Sequence, residues 1–192
     1  MKIYHNRKIA FAVFAATLFC LVTSGSVWAQ KTKQITATAR GTSTQLGQIV
    51  SIDLRISEYS TADDQKALLE AFKANGSEGL ANALDKMKSK GRIAITGTLG
   101  FDVNYIREFK MPDGTRKIRF VTDRPIRFGE AWASTRSMDY MISLGEINLS
   151  KEKGKSTGTL MPAAKVQLDK EGELKIETYQ NPWELLNIKV WD

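Results

Sequence analysis

Histidine and cysteine are almost missing from this chain: His5 and Cys20 are the only ones among 192 residues, and both lie in the first 29. Everything after residue 29 is therefore without an imidazole or a thiol. That stretch has no Ser-His-Asp or Cys-His pair, no Cys/His zinc site and no disulfide. Zero cysteines after the leader is compatible with an oxidising compartment, which permits disulfides but does not demand them. A hydrophobic run long enough to cross a bilayer is missing as well. The longest, residues 9–22, has about 14 apolar-rich positions, short of the ~20 that a spanning helix needs.

What stands at the N-terminus reads as a secretory signal. Lys2, Arg7 and Lys8 form a basic n-region, residues 9–22 an apolar h-region, and Val27-Trp28-Ala29 places Val at −3 and Ala at −1 of a cleavage site before Gln30. A lipoprotein signal would put a small residue before the cysteine, and here Phe19 precedes Cys20. The expectation is a leader at 1–29, a product exported to the periplasm or the extracellular space, and no integral span once the leader is gone.

Strong charge of one sign is also lacking. The chain has 28 Lys plus Arg against 21 Asp plus Glu, and removal of the three leader cations leaves a net charge of +4, spread over many segments. Nucleic-acid binders concentrate such charge on one face, so a nucleic-acid partner is not expected. Residues 30–192 are one domain's worth of chain, long enough to bury its own core.

The residue pattern is mainly β. Ile35, Ala37 and Ala39 alternate with polar neighbours, as do Val50, Ile52, Leu54 and Ile56. At about 61–90 the period becomes helical: Ser60 or Thr61 can cap, Leu68, Leu69 and Phe72 form a stripe, Asn75-Gly76 breaks it, and Ser77 can cap a second segment carrying Leu80, Leu84 and Met87 before Gly91. This predicts an inserted αα-hairpin.

Alternation then returns with Ile93 and Ile95, with Phe101, Val103 and Tyr105, and with Ile118, Phe120 and Thr122 after a Pro112-Asp113-Gly114 turn. Tyr140, Ile142 and Leu144 fall out of phase with Ile147 and Leu149, which predicts a bulge at Gly145. Leu160, Ala164, Val166 and Leu168 match Leu174, Ile176 and Thr178, and Leu186, Ile188 and Val190 close the chain. The fold expected is α+β, mainly β: an antiparallel barrel or sandwich of about eight or nine strands.

The stretch 123–139 concentrates functional side chains: Asp123, Arg124, Arg127, Glu130, Trp132, Arg136 and Asp139. Guanidinium forks and an indole suit an anionic or sugar-like ligand, so Arg124, Arg127, Glu130, Trp132, Arg136 and Asp139 are the ligand-binding candidates. The same residues can serve structure, the arginines pinning a long connection and Trp132 plugging one end of a barrel. Glu130 with Asp123 or Asp139 would be the pair for carboxylate-dependent glycoside hydrolysis.

Other local matches fail. Ser150 to Lys153 fits S-x-x-K in a polar turn, the glycines at 91, 97 and 100 lack a phosphate-loop context, and Asp169-Lys170-Glu171-Gly172 is a hairpin turn with too few spaced oxygens for calcium. No catalytic residue, metal or cofactor is assigned from the sequence.

The segments Leu99-Gly100-Phe101-Asp102-Val103, Thr122-Asp123-Arg124-Pro125-Ile126, Arg136-Ser137-Met138-Asp139-Tyr140, and the strand from Gly158-Thr159-Leu160 to Ala163 are similar to a family of uncharacterised exported bacterial proteins. The resemblance covers most of the chain after the leader and implies an intact exported domain; no activity comes with it. The function expected is a non-enzymatic envelope module that binds an apolar small molecule or a protein partner. The alternative is a glycosidase-like hydrolase using the 123–139 stretch.

Overall fold

Two-residue alternation becomes strand along about half of the chain that the computed structural model describes, residues 32–126, 139–169 and 172–191. The leader at 1–29 lies outside them. The elements are β1 (Lys33–Arg40), β2 (Ile49–Ile56), α1 (Ala62–Lys86), β3 (Gly91–Ile95), β4 (Phe101–Lys110), β5 (Arg116–Thr122), β6 (Ile142–Leu149), β7 (Thr157–Leu168), β8 (Leu174–Thr178) and β9 (Trp183–Trp191). All the pairings are antiparallel, in the order β6-β5-β4-β3-β2-β1-β9-β7-β8, and β6 also pairs with β7. That last pairing closes eight strands into a barrel and leaves β8 outside it. Closure is the physical choice of barrel over sandwich, because it removes the two edges an open sheet would expose.

The barrel is filled by its own side chains. Ile35, Leu54, Ile93, Ile106, Ile118, Phe120, Ile147, Leu160, Leu185 and Trp183 point inward and are almost completely buried. Gly145 belongs to this packing. It lies opposite Phe120 in the β5–β6 ladder, and a Cβ at 145 would overlap the Phe120 ring.

The bulge predicted at Gly145 is absent, since the β5–β6 register runs unbroken from Leu149 to Leu144. The change of phase has another cause. Ile147 and Leu149 face the interior, while Ile142 and Leu144 face outward beneath α1, where they join a second apolar cluster with Leu68, Phe72, Leu84, Ala164 and Val166. A strand covered on both faces has no single apolar phase.

Among the described residues, bulges do occur at three other places. In β4 the register steps at Asn104, in β7 at Pro162 and Ala163, and in β9 at Asn187, whose φ of 52° is one that Asn tolerates better than most residues. Each turns the following residues over. Leu160 is therefore interior while Ala164 and Val166 meet the helix, and Trp183 and Leu185 share the interior with Ile188 and Val190. Leu186, expected on the face of Ile188 and Val190, pairs with Thr38 on the other face, because the Asn187 bulge separates them.

The helical insertion is one element broken where the Asn-Gly pair predicted, with Asn75 and Gly76 non-helical and Gly76 at φ 59°. Thr61 is the cap, in a reciprocal capping box with Asp64 (3.1 and 2.8 Å). Ser60 and Ser77 do something else. The Ser60 hydroxyl accepts from the Ile106 amide (3.0 Å) while its own amide donates to the Ile106 carbonyl (2.7 Å), and the Ser77 hydroxyl exchanges both bonds with the Val166 backbone (2.9 and 2.8 Å). Each serine satisfies a strand edge at a point where the neighbouring strand has ended.

Leu69 is half exposed, being one helical step away from the Leu68 and Phe72 stripe. Gly91 does not end the helix, which stops at Lys86. It opens β3, where a side chain would collide with the Arg55 carbonyl of β2.

Candidate functional site

The 123–139 stretch connects β5 to β6 in sequence, and its described ends are held by two buried hydroxyls. Thr122 and Ser143 have no solvent exposure. Thr122 Oγ1 donates to the Arg124 carbonyl (2.5 Å) and accepts from the Ser143 amide (2.9 Å). Ser143 Oγ donates to the Pro162 carbonyl (2.6 Å) and accepts from the Ile126 amide (2.7 Å), which also reaches that carbonyl at 2.9 Å. The β7 bulge is what turns the Pro162 carbonyl out of the β6–β7 ladder to receive them. Proline, with no amide hydrogen, is tolerated in a strand at such a point.

Of the ligand-binding candidates, Arg124 and Asp139 are described; Arg127, Glu130, Trp132 and Arg136 lie outside the described residues, as does the possibility of Trp132 as a plug. Arg124 is 60% exposed and lies across the Asp123 carboxylate, which is 4% exposed, in a two-toothed bond (3.0 and 2.7 Å). That geometry commits Asp123 to its neighbour. Asp139 is exposed. Sequence reasoning missed Thr122 and Ser143 because small hydroxyl residues carry no chemical motif; the available signal was their place on interior-facing strand positions, where a hydroxyl needs a partner.

The contrast is measurable. Ser143→Ala is expected to cost about 1–3 kcal/mol in chemical denaturation, since it removes the partner of buried backbone groups. Asp139→Ala, at an exposed position, is expected to cost less than about 0.5 kcal/mol. Equal losses would overturn this assignment of the loop's anchor.

Charged clusters sit on the outer wall. Glu146 of β6 takes Lys117 Nζ at 2.9 Å and Arg119 Nε at 2.8 Å from β5, and the Arg107 and Arg119 guanidinium groups each lie 5.5 Å from the Phe109 ring centre. Burial pushes the Glu146 carboxyl up, but the bonds and charges of Lys117 and Arg119 outweigh it and hold the carboxyl below its ordinary range. Beside the helix start, Lys90 Nζ meets Glu58 at 2.9 Å and Asp64 at 3.5 Å. The Lys90 bond and charge lower the Glu58 carboxyl, the Thr61 amide chiefly lowers Asp64, and the Glu58 bond raises the Lys90 ammonium.

A pH dependence follows with a definite sign. Carboxylates held below their ordinary range stabilise the fold above about pH 4, and that contribution is lost as pH falls through their folded values. The raised Lys90 acts at the other extreme: its contribution is complete below about pH 10.4 and lost above it. Thermal melts of wild type and Lys90→Met are expected to differ most at neutral pH and to converge as pH falls below the carboxylate range. A difference that stays constant down to pH 3 would show that Lys90 does not act through ionised Glu58 and Asp64.

Among the described residues, shallow grooves open on the outside. One of about 120 Å³ is lined by Asp53, Arg55, Arg92 and the turn carrying Thr98 and Leu99. A second, about 380 Å³, runs over Thr36, Thr38, Ser51, Asp53, Asn187 and Lys189. A third, about 360 Å³, lies between α1 and the end of β7 and is lined by Phe72, Ser77, Val166 and Leu168. The wall bearing Arg40, Asp53, Arg55, Lys117 and Arg119 is charged where a membrane-spanning barrel carries an apolar band. No helix among the described residues is long and apolar enough to cross a membrane, and no acidic, His or Cys cluster among them is arranged to hold a metal. Neither protein-family models, nor curated proteins, nor solved structures give a match to this chain.

Proposed function

We propose that the chain is exported after loss of residues 1–29 and serves in the cell envelope as a non-enzymatic binding module that engages a partner through its outer surface. The observation that carries this reading is the packed interior: Trp183, Phe120, Leu160 and the aliphatic side chains around them occupy the space that a lipid carrier would leave for its cargo. An apolar ligand inside the barrel is accordingly the less favoured form of the proposal, and the grooved, charged outer wall is the more favoured one. The hydrolase alternative would rest on Glu130 with Asp123 or Asp139. Asp123, bonded through both carboxylate oxygens to Arg124, is poorly placed to serve as one member of that pair.

The test is expression of the full chain from residue 1, native purification from the envelope fraction, and intact mass spectrometry before and after denaturation. The expected species begins at Gln30 and carries no stoichiometric apolar molecule. An N-terminus retaining Lys2 would overturn export by cleavage, a diacylated Cys20 would establish a lipoprotein, and a co-purifying lipid released only on denaturation would restore the interior-ligand reading.

A further inference from the structure

We infer that the chain pairs with a second copy of itself through the free edge of β8, each β8 continuing the other's sheet about a two-fold axis. The phase of the β7–β8 ladder is set by bonds at its two ends, from the Asp169 amide to the Glu173 carbonyl (2.9 Å) and from the Tyr179 amide to the Ala163 carbonyl (3.0 Å). Hydrogen-bonded pairs alternate along an antiparallel ladder, so Lys175 and Glu177 turn their backbone groups to β7, while Leu174, Ile176 and Thr178 turn theirs outward. On the far edge of the same hairpin the equivalent groups of Val166 are taken up by Ser77. Among the described residues β8 pairs with β7 alone, so its outer edge has no such cover.

The edge is self-complementary. When Ile176 is set opposite the partner's Ile176 in an antiparallel pair, Leu174 falls opposite the partner's Thr178 and Lys175 opposite the partner's Glu177. The outward groups then form about six backbone hydrogen bonds. The opposite-charge pair of Lys175 and Glu177 occurs twice by symmetry, and both copies lie on one face of the hairpin. The other face is apolar and uncovered, with Leu168, Leu174 and Ile176 at 55%, 59% and 42% exposure. That face runs into the groove beside Phe72 and Val166, so a second copy would extend a cover which α1 only begins. A free strand edge beside an apolar face is a template for pairing unless charge opposes it, and here the charges of two copies attract. A five-residue edge is small beside the ~1,600 Å² of a standard interface, so the dimer is a reversible, concentration-dependent one.

This inference stands independently of the export and binding reading. Its test is sedimentation equilibrium of the purified full chain from about 1 to 200 μM, the range in which a small interface dissociates. Wild type is expected to pass from monomer to dimer. Lys175→Glu alone and Glu177→Lys alone each place like charges opposite one another and should weaken association about tenfold. Two combinations should recover it: an equimolar mixture of the two single variants, and the double exchange Lys175→Glu with Glu177→Lys. Thermal melts of each variant verify that the barrel is intact. A wild type that stays monomeric throughout, single variants that associate as wild type does, or a mixture and double exchange that fail to recover association would each overturn the proposal.

Discussion

Trp183→Ala is expected to lower stability by about 3–5 kcal/mol, the usual consequence of removing a fully buried indole whose space the surroundings fill only in part. Trp183 is 1% exposed and lies inside the barrel at the start of β9, opposite Leu160 of β7. β9 joins β1 to β7 within the closed ring, so the loss should fall on the whole cooperative unit. For a domain of this size it corresponds to a melting point lower by about 6–20 °C. Urea denaturation checks the free energy, and an unchanged slope against denaturant would show that the folded state keeps its compactness. A loss below about 1 kcal/mol would mean that the interior is loosely filled, and the packed core on which the surface-binding proposal rests would fall with it.

Phe72→Ala is expected to cost a similar amount, about 3–5 kcal/mol, for a residue outside the barrel. Phe72 is 7% exposed and packs with Leu68 and Leu84 of α1 against Ile142, Ala164 and Val166 on the outer wall. Its truncation should therefore destabilise barrel and helix together, and unfolding followed by far-UV circular dichroism and by tryptophan fluorescence should give one midpoint. Two separated transitions would show that α1 melts before the barrel. A loss below about 0.5 kcal/mol would show that the helix does not dock through this residue. Because Phe72 also lines the groove that continues the β8 face, a stable Phe72→Ala chain with weakened self-association would tie the two surfaces together.

Local chemistry determined a good deal of this protein by itself. Period-two alternation placed the strands, Asn75-Gly76 marked the break in the helix, and Ser60 or Thr61 bracketed its start, because each of these depends only on neighbours along the chain. The missing histidines and cysteines limited the chemistry before any contact was known. What alternation could not reveal is which partner a face would meet. Ile142 and Leu144 lie against α1 while Ile147 and Leu149 fill the barrel, and only the docking of a helix some 60 residues away in sequence turns one strand's outer face into a second core. The bulges at Asn104, Pro162 and Asn187 belong to the same class, since they arise from fitting eight tilted strands into a closed ring, a requirement of the whole sheet. Thr122 and Ser143 came to hold the root of the 123–139 stretch for that reason too: closure set β5, β6 and the β7 bulge side by side, and two hydroxyls with no motif around them became the partners of otherwise unsatisfied backbone.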